Sequence, residues 1–179
     1  DHAYSAEATP TVVMTVREFH VLDRSIQAAG VEAMTVEDIR WGRCDIKSVN
    51  LLANVLARQQ VKQARVFEAI LVRAGLVTEG AVSNVMIIQR GAVVTAPEGP
   101  RILSGVTRAM VLNLALREGL PVQERFVSQA DLYDAEEVFL TGTTVEVLAV
   151  VRIDGKVIGN GRPGPITQRL AARFTKQVD

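Results

Sequence analysis

The sequence predicts an α+β fold: a mixed, barrel-like β-sheet with helices on its flanks. Short apolar runs follow one another through glycine-bearing turns, which favours adjacent, largely antiparallel strands over a regular strand–helix alternation. Three longer stretches carry helical periodicity instead. Apolar residues make up 48% of the 179 positions, enough to build a core and to exclude a disordered chain.

Taken in order, residues 11–17 alternate loosely and read as a strand, and residues 31–36 as a second extended run. Leu51, Leu52, Val55 and Leu56 recur at helical spacing, which predicts a helix over about 49–64. Residues 67–72, 82–89 and 92–96 read as three strands, with Gly75, Gly80 and Gly91 marking turns. A helix over 107–118 follows Ser104-Gly105 and stops at Gly119-Leu-Pro121. Residues 122–127 are a further strand, Ser128 or Asp131 caps a short turn, and 137–141 returns to extended structure. Asp154-Gly155 between residues 145–153 and 156–158 is a two-residue hairpin signal, and a last helix runs from about Pro165 to Lys176.

Composition removes several function classes. Twenty basic and twenty acidic residues cancel, and aromatics are only 4%, so neither a basic nucleic-acid surface nor a base-stacking platform is expected. No apolar run approaches the roughly 20 residues of a membrane span. Residues 1–10 lack a signal-peptide pattern. The single Cys44 excludes an internal disulfide and a thiolate zinc site, and fits a reducing, cytoplasmic compartment. His2 and His20 have no metal-ligand spacing, so no metal is expected.

Lysine is the informative residue type. Only Lys47, Lys62, Lys156 and Lys176 occur, against sixteen arginines. Lys62, Lys156 and Lys176 fall at ordinary solvated positions. Lys47 precedes the leucine-rich helix, so a partly desolvated surrounding is expected for it. Desolvation or a nearby cation makes an amine able to attack a carbonyl and form a Schiff base. The competing reading pairs Lys47 with Asp45 or Asp38 at a strand end. Two segments favour an anion: Ser104-Gly105-Val106-Thr107-Arg108, where a helix begins, and Thr141-Gly142-Thr143-Thr144, with hydroxyls beside flexible backbone. Each is also an ordinary cap or turn. Glu79 reads as a solvated turn acid unless the fold aims it into a site.

Together these segments resemble the fold-type IV pyridoxal-phosphate enzymes, and most closely their D-amino acid (D-alanine) aminotransferase branch. The resemblance is carried by Asp38-Ile-Arg-Trp-Gly-Arg-Cys-Asp-Ile-Lys-Ser48 with Asn50-Leu-Leu-Ala-Asn-Val-Leu-Ala57, then Phe67-Glu-Ala-Ile70, Thr78-Glu-Gly80, Ser83-Asn84-Val85, Ile102-Leu-Ser-Gly-Val-Thr-Arg108 and Thr141-Gly-Thr-Thr144, in the family's order. It covers nearly all of the chain from Thr11 onward.

The resemblance implies the large C-terminal domain of that fold, here residues 31–179, with residues 1–30 a remnant of the family's smaller N-terminal domain and linker. It implies pyridoxal 5'-phosphate as cofactor, Lys47 as its covalent anchor and proton carrier, and Glu79 at the pyridine nitrogen. Val106 and Thr107 would meet the phosphate through backbone N–H groups and Thr107 and Thr143 through hydroxyls, with Gly105 also among the cofactor-binding residues. Leu103 would pack on the ring face and Arg40 would lie close to the cofactor. His2 matches the histidine of the family's carboxylate clamp, and Thr144 would join it in holding substrate. Where the family often places serines near the cofactor, this chain has Ala81, Val82 and Gly142. Amino acid and 2-oxo acid substrates and a homodimer follow from the same resemblance. Its alternatives are a branched-chain aminotransferase, an aminodeoxychorismate lyase, or a cofactor-binding fragment without catalysis.

Overall fold

The computed structural model describes residues 3–18 and 22–178. Its elements in chain order are α1 (Arg24–Ala29), β1 (Val31–Glu37), α2 (Leu52–Ala64), β2 (Glu68–Arg73), β3 (Leu76–Gly80), β4 (Asn84–Gln89), β5 (Ala92–Thr95), α3 (Val106–Arg117), β6 (Val122–Glu124), β7 (Val127–Ser128), α4 (Gln129–Tyr133), β8 (Glu137–Gly142), β9 (Glu146–Ile153), β10 (Lys156–Val157) and α5 (Pro165–Val178). The strands make one mixed sheet in the order β6-β5-β4-β8-β9-β1-β2-β3-β7, with β10 paired to β9. Pairing is parallel where β1 meets β2 and β9 and where β5 meets β6, and antiparallel elsewhere.

Chain connectivity forces this sheet to curl. β3 and β4 are separated by only three residues in sequence, yet four strands lie between them along the ladder. β6 and β7 are two residues apart and sit at opposite ends of the same ladder. Both links are far too short to cross a flat sheet whose strands are spaced about 4.8 Å. The sheet therefore folds back into a half-barrel, and its seam is the turn between Gly80 and Asn84.

The barrel buries both faces of its central strands. Val85 and Ile87 of β4 pack inward with Ile70, Val94, Val138, Leu140 and Leu148. Met86 and Ile88, one residue out of phase, pack under α3 and α5 against Val111, Ala115, Phe139 and Leu170. A strand covered on both sides reads as an unbroken apolar run, as residues 85–88 do. On another flank Ala57 and Val61 of α2 pack on Ala69, Leu71 and Ala81. The N-terminus of α5 is capped from the sheet: the Glu137 carboxylate accepts from Ile166 N at 3.0 Å and from Thr167 N at 2.7 Å.

Most of the expected elements are present. The Asp154-Gly155 turn has positive φ at both residues, 50° and 76°, as a tight hairpin requires. Ser128 caps α4 through a reciprocal pair with Asp131. Three expectations need correction, and one helix has no sequence expectation to meet. Residues 11–17 form no strand: Val12, Val13, Met14 and Val16 are exposed, and among the described residues the segment has no ladder partner. β3, read as a turn because of Thr78-Glu79-Gly80, is a strand whose polar side chains point into the interior. The run 122–127 splits into β6 and β7 because its two ends pair with opposite edges of the sheet. The short α1, capped by Asp23, carries no periodic signal of its own. No helix among the described residues is long and apolar enough to cross a membrane.

Candidate active site

The seam of the half-barrel gathers a cluster of buried charge. Glu79 ends β3 and Asn84 opens β4, so the three-residue link brings both side chains to one place. The Asn84 amide donates to Glu79 Oε2 at 2.9 Å and to the Leu103 carbonyl at 2.9 Å. The Leu103 N–H donates to both Glu79 oxygens, at 3.0 and 3.1 Å. Arg40 completes the set with a hydrogen-bonded ion pair to Glu79 Oε1.

Arg40 also holds Asp38. Its Nε and Nη2 donate to the two Asp38 oxygens at 2.9 Å each, and Nη2 reaches the Arg101 carbonyl at 3.0 Å. Asp38 in turn accepts from Arg73 Nη2 and Thr78 Oγ1 at 2.9 Å. Two guanidinium groups thus face two carboxylates, and each buried charge has a partner, as desolvated ions require. For Asp38, burial alone would raise the pKa; the hydrogen bonds and charge of Arg40 outweigh it, and the carboxyl lies below its ordinary range. For Glu79, burial dominates over the pull of Arg40, and its carboxyl is pushed up. Burial likewise pushes the Cys44 thiol up, away from nucleophile duty.

A depressed folded pKa fixes a sign. Asp38 contributes stability that is fully present above its unfolded value near 3.9 and is lost as pH falls through its lower folded value. Chemical denaturation across pH should therefore show a stability gap between wild type and Asp38→Asn that is constant above about pH 4 and closes below it. A gap independent of pH would contradict this role.

The helix that follows Leu103 begins at the same place. Gly105 is the N-cap of α3 and brings no side-chain acceptor to the first-turn N–H groups of Val106, Thr107 and Arg108. A Cβ at Gly105 would run into Asn84 Oδ1, so glycine lets the helix start approach the Glu79–Asn84 pair. Val106 is exposed and Thr107 is buried. Thr143 and Thr144 are exposed in the turn between β8 and β9; Asn84 pairs with Thr141 just before that turn. His2 lies outside the described residues.

Lys47 sits in the loop between β1 and α2, and both ends of that loop are pinned to the seam. Arg40 ties its start to Glu79, Cys44 N donates to the Pro100 carbonyl at 2.8 Å, and Asn54 of α2 donates to the Ala81 carbonyl at 2.8 Å. The expected desolvation of Lys47 is corrected: the residue is exposed, because the leucine-rich face meant to cover it is itself uncovered. Val49 is 97% exposed and Leu52 69%, with Leu51, Val55 and Leu56 also outward. The competing ion-pair reading is corrected as well. Asp45 is taken by Arg43 at 2.8 Å and Asp38 by Arg40 and Arg73. Among the described residues Lys47 has no ion-pair or hydrogen-bond partner.

Sequence reasoning placed Arg40 near the site but missed what it does there, and it missed Arg73, Thr78 and Asn84. The available signal was the charge pattern Asp38-x-Arg40 with Thr78-Glu79, which has no meaning until β1 and β3 are brought to the same seam.

Comparison with known proteins follows the same lines. The profile of the Amino-transferase class IV family matches residues 1–153, and the chain belongs to that family. It is similar to a D-alanine aminotransferase of Bacillus licheniformis, 46% identical over 177 residues, covering 99% of this chain and 62% of the relative. A D-alanine aminotransferase of Staphylococcus haemolyticus is 39% identical over 179 residues, covering 100% and 64%. Among solved structures, the pyridoxal-phosphate form of a branched-chain amino acid aminotransferase from Thermobaculum terrenum superposes with a TM-score of 0.79 at 28% identity, over 88% of this chain and 54% of that one. The chain spans between half and two thirds of the length of the curated relatives it matches.

Proposed function

We propose that this chain is the cofactor-holding part of a pyridoxal-phosphate-dependent aminotransferase that moves an amino group between a D-amino acid of the D-alanine kind and a 2-oxo acid. The observation that carries the reading is the seam: a buried carboxylate, Glu79, separated by one side chain from the open N-terminus of α3. A flat ligand with a protonated ring nitrogen at one end and a phosphate at the other fits that pair of features. When bound, pyridoxal phosphate supplies an electron sink for the bond-breaking at the substrate's α-carbon.

The chain's own residues then divide the work. Glu79 would hold the proton at the ring nitrogen, and Arg40 pulls against the burial that raises this carboxyl and keeps it aimed. The N–H groups of Val106 and Thr107 bind phosphate, Gly105 giving the backbone room to approach, and the hydroxyls of Thr107 and Thr143 add donors. Leu103 would lie against the ring. The Lys47 amine, on a loop pinned at both ends and left without a carboxylate partner, would be the cofactor's covalent anchor and would move the proton at the substrate α-carbon. Thr144 and His2 bind the substrate carboxylate.

Further parts of the reading rest on the same footing. We assign residues 31–179 to the cofactor-binding domain and residues 1–30 to the end of a preceding domain and its linker. The uncovered apolar face of Val49, Leu51, Leu52, Val55 and Leu56 supports a homodimer in which a second copy covers it. One buried free thiol agrees with a cytoplasmic enzyme.

The branched-chain alternative has its own support in the Thermobaculum terrenum structure, but the higher identity lies with the D-alanine enzymes. A direct assay of the natural full-length protein separates them. Pyruvate should form from D-alanine with 2-oxoglutarate as acceptor at least about tenfold faster than L-leucine is consumed, a difference of about 1.4 kcal/mol in transition-state binding. Turnover of L-leucine without D-alanine would replace this reading with the branched-chain one.

A further inference from the structure

A fully buried carboxylate in the described chain belongs to a residue the proposed chemistry does not use. Glu68, the first residue of β2, has no exposed surface. Its Oε2 accepts from Ser83 Oγ at 2.9 Å. Its Oε1 accepts from Ala69 N at 2.9 Å and from Arg58 Nη1 at 3.3 Å. Arg58 belongs to α2 and also donates to the Phe67 carbonyl at 2.5 Å. A carboxylate removed from water is kept only with such a full set of donors, and all of these come from the helix after Lys47, from β2 and from the seam turn.

The seam turn is the informative partner. Gly80 N donates to the Ser83 carbonyl at 2.7 Å, closing the turn, and Glu79 and Asn84 stand immediately outside it. A Cβ at Gly80 would strike Ser83 Oγ and lie 3.3 Å from Glu68 Oε2, so the turn and the carboxylate are in close contact. Asn54 holds the same turn from α2 through the Ala81 carbonyl. The Ser83–Glu68 bond adds a side-chain tie from this turn to β2, beside the backbone bonds of Gly80 N to the Ser83 carbonyl and Ala81 N to the Ala69 carbonyl.

We propose that Glu68 is a positioning residue: through Ser83 it clamps the seam turn and thereby fixes the Glu79 carboxylate where the ring nitrogen of the cofactor meets it. This rests on the reading of Glu79 given above. Arg58 makes the clamp a link between α2, the helix that follows the Lys47 loop, and the turn that follows Glu79.

The test uses this chain, with and without pyridoxal phosphate, as wild type, Glu68→Gln, Ser83→Ala, the double variant and Glu79→Gln. Ser83→Ala and Glu68→Gln should each weaken cofactor binding about tenfold, the effect of one hydrogen bond to a buried charge. Each should also move the pH midpoint of the cofactor's visible absorption in the same direction as Glu79→Gln. The double variant should be no weaker than Glu68→Gln within about twofold, because both changes break one link. Ser83→Ala keeps the test alive if Glu68→Gln does not fold.

If Glu79→Gln shifts the absorption while Ser83→Ala and Glu68→Gln match wild type, the clamp is overturned and the reading of Glu79 stands. Additive losses in the double variant also overturn it. If Glu79→Gln leaves the absorption unchanged, the reading of Glu79 fails and takes with it the claim that Glu68 acts on the cofactor. Hydrogen exchange of the cofactor-free chain reads the clamp separately: Ser83→Ala should speed exchange over residues 79–84 about tenfold and leave α3 and α5 unchanged. Unchanged exchange there overturns the clamp whatever the spectra show.

Discussion

Lys47→Ala should abolish covalent capture of pyridoxal phosphate and lower amino transfer by at least about 10²–10⁴-fold, the usual worth of a positioned proton-transfer group. Its stability should stay within about 0.5 kcal/mol of wild type, because an exposed side chain without partners contributes little to the fold. That split is the signature of a residue kept for chemistry. The other lysines are poor substitutes. Lys156 stacks over the Tyr133 ring at 4.1 Å, Lys62 lies in the last turn of α2, and Lys176 lies in the last turn of α5. The measurement is paired: single-turnover amino transfer from D-alanine and urea denaturation of the same preparation. A large fall in stability with modest loss of transfer would make Lys47 structural and contradict the account.

Arg40→Met should behave in the opposite way and lose stability. The change leaves Asp38 and Glu79 buried without the guanidinium that bridges them. Removing one partner of a buried ion pair costs about 3–5 kcal/mol. The effect belongs at the lower end of that range, because Asp38 keeps Arg73 and Thr78 and Glu79 keeps Asn84 and the Leu103 amide. Arg40→Lys should recover only part of the loss, since one ammonium cannot reproduce the fork that touches both carboxylates. Cofactor affinity should fall in step with the aim of Glu79. A loss below about 1 kcal/mol in Arg40→Met would mean that Arg40 is not the keystone of the seam.

The fold was legible wherever one local signal decided an element. α2, α3 and α5 show helical spacing, and the Asp154-Gly155 hairpin and the Ser128 cap carry their own turn chemistry. β3 was not legible, because Thr78, Glu79 and Gly80 look like a solvated turn and become a strand only when the barrel interior accepts their polar side chains. The break between β6 and β7 was hidden for a related reason: nothing within residues 122–127 records that the sheet's two edges meet there.

The site divides in the same way. Lys47, Gly105, Val106 and Thr107 stand out as candidates by residue type and order, Glu79 only through the family resemblance, and the groups packed around Glu79 do not stand out at all. Asp38, Arg73, Asn84 and Glu68 are common residues whose meaning comes from tertiary contact, up to 40 positions apart in the case of Asp38 and Thr78. Lys47 is exposed because only part of the apolar face before and within α2 packs inward: Ala57 and Val61 do so, and the leucines do not.

Borohydride reduction of the pyridoxal-phosphate-treated chain, followed by peptide mass spectrometry, asks directly which nitrogen carries the cofactor. The account predicts a single phosphopyridoxyl adduct, on the peptide containing Lys47. An adduct on Lys62, Lys156 or Lys176 with Lys47 unmodified would contradict it.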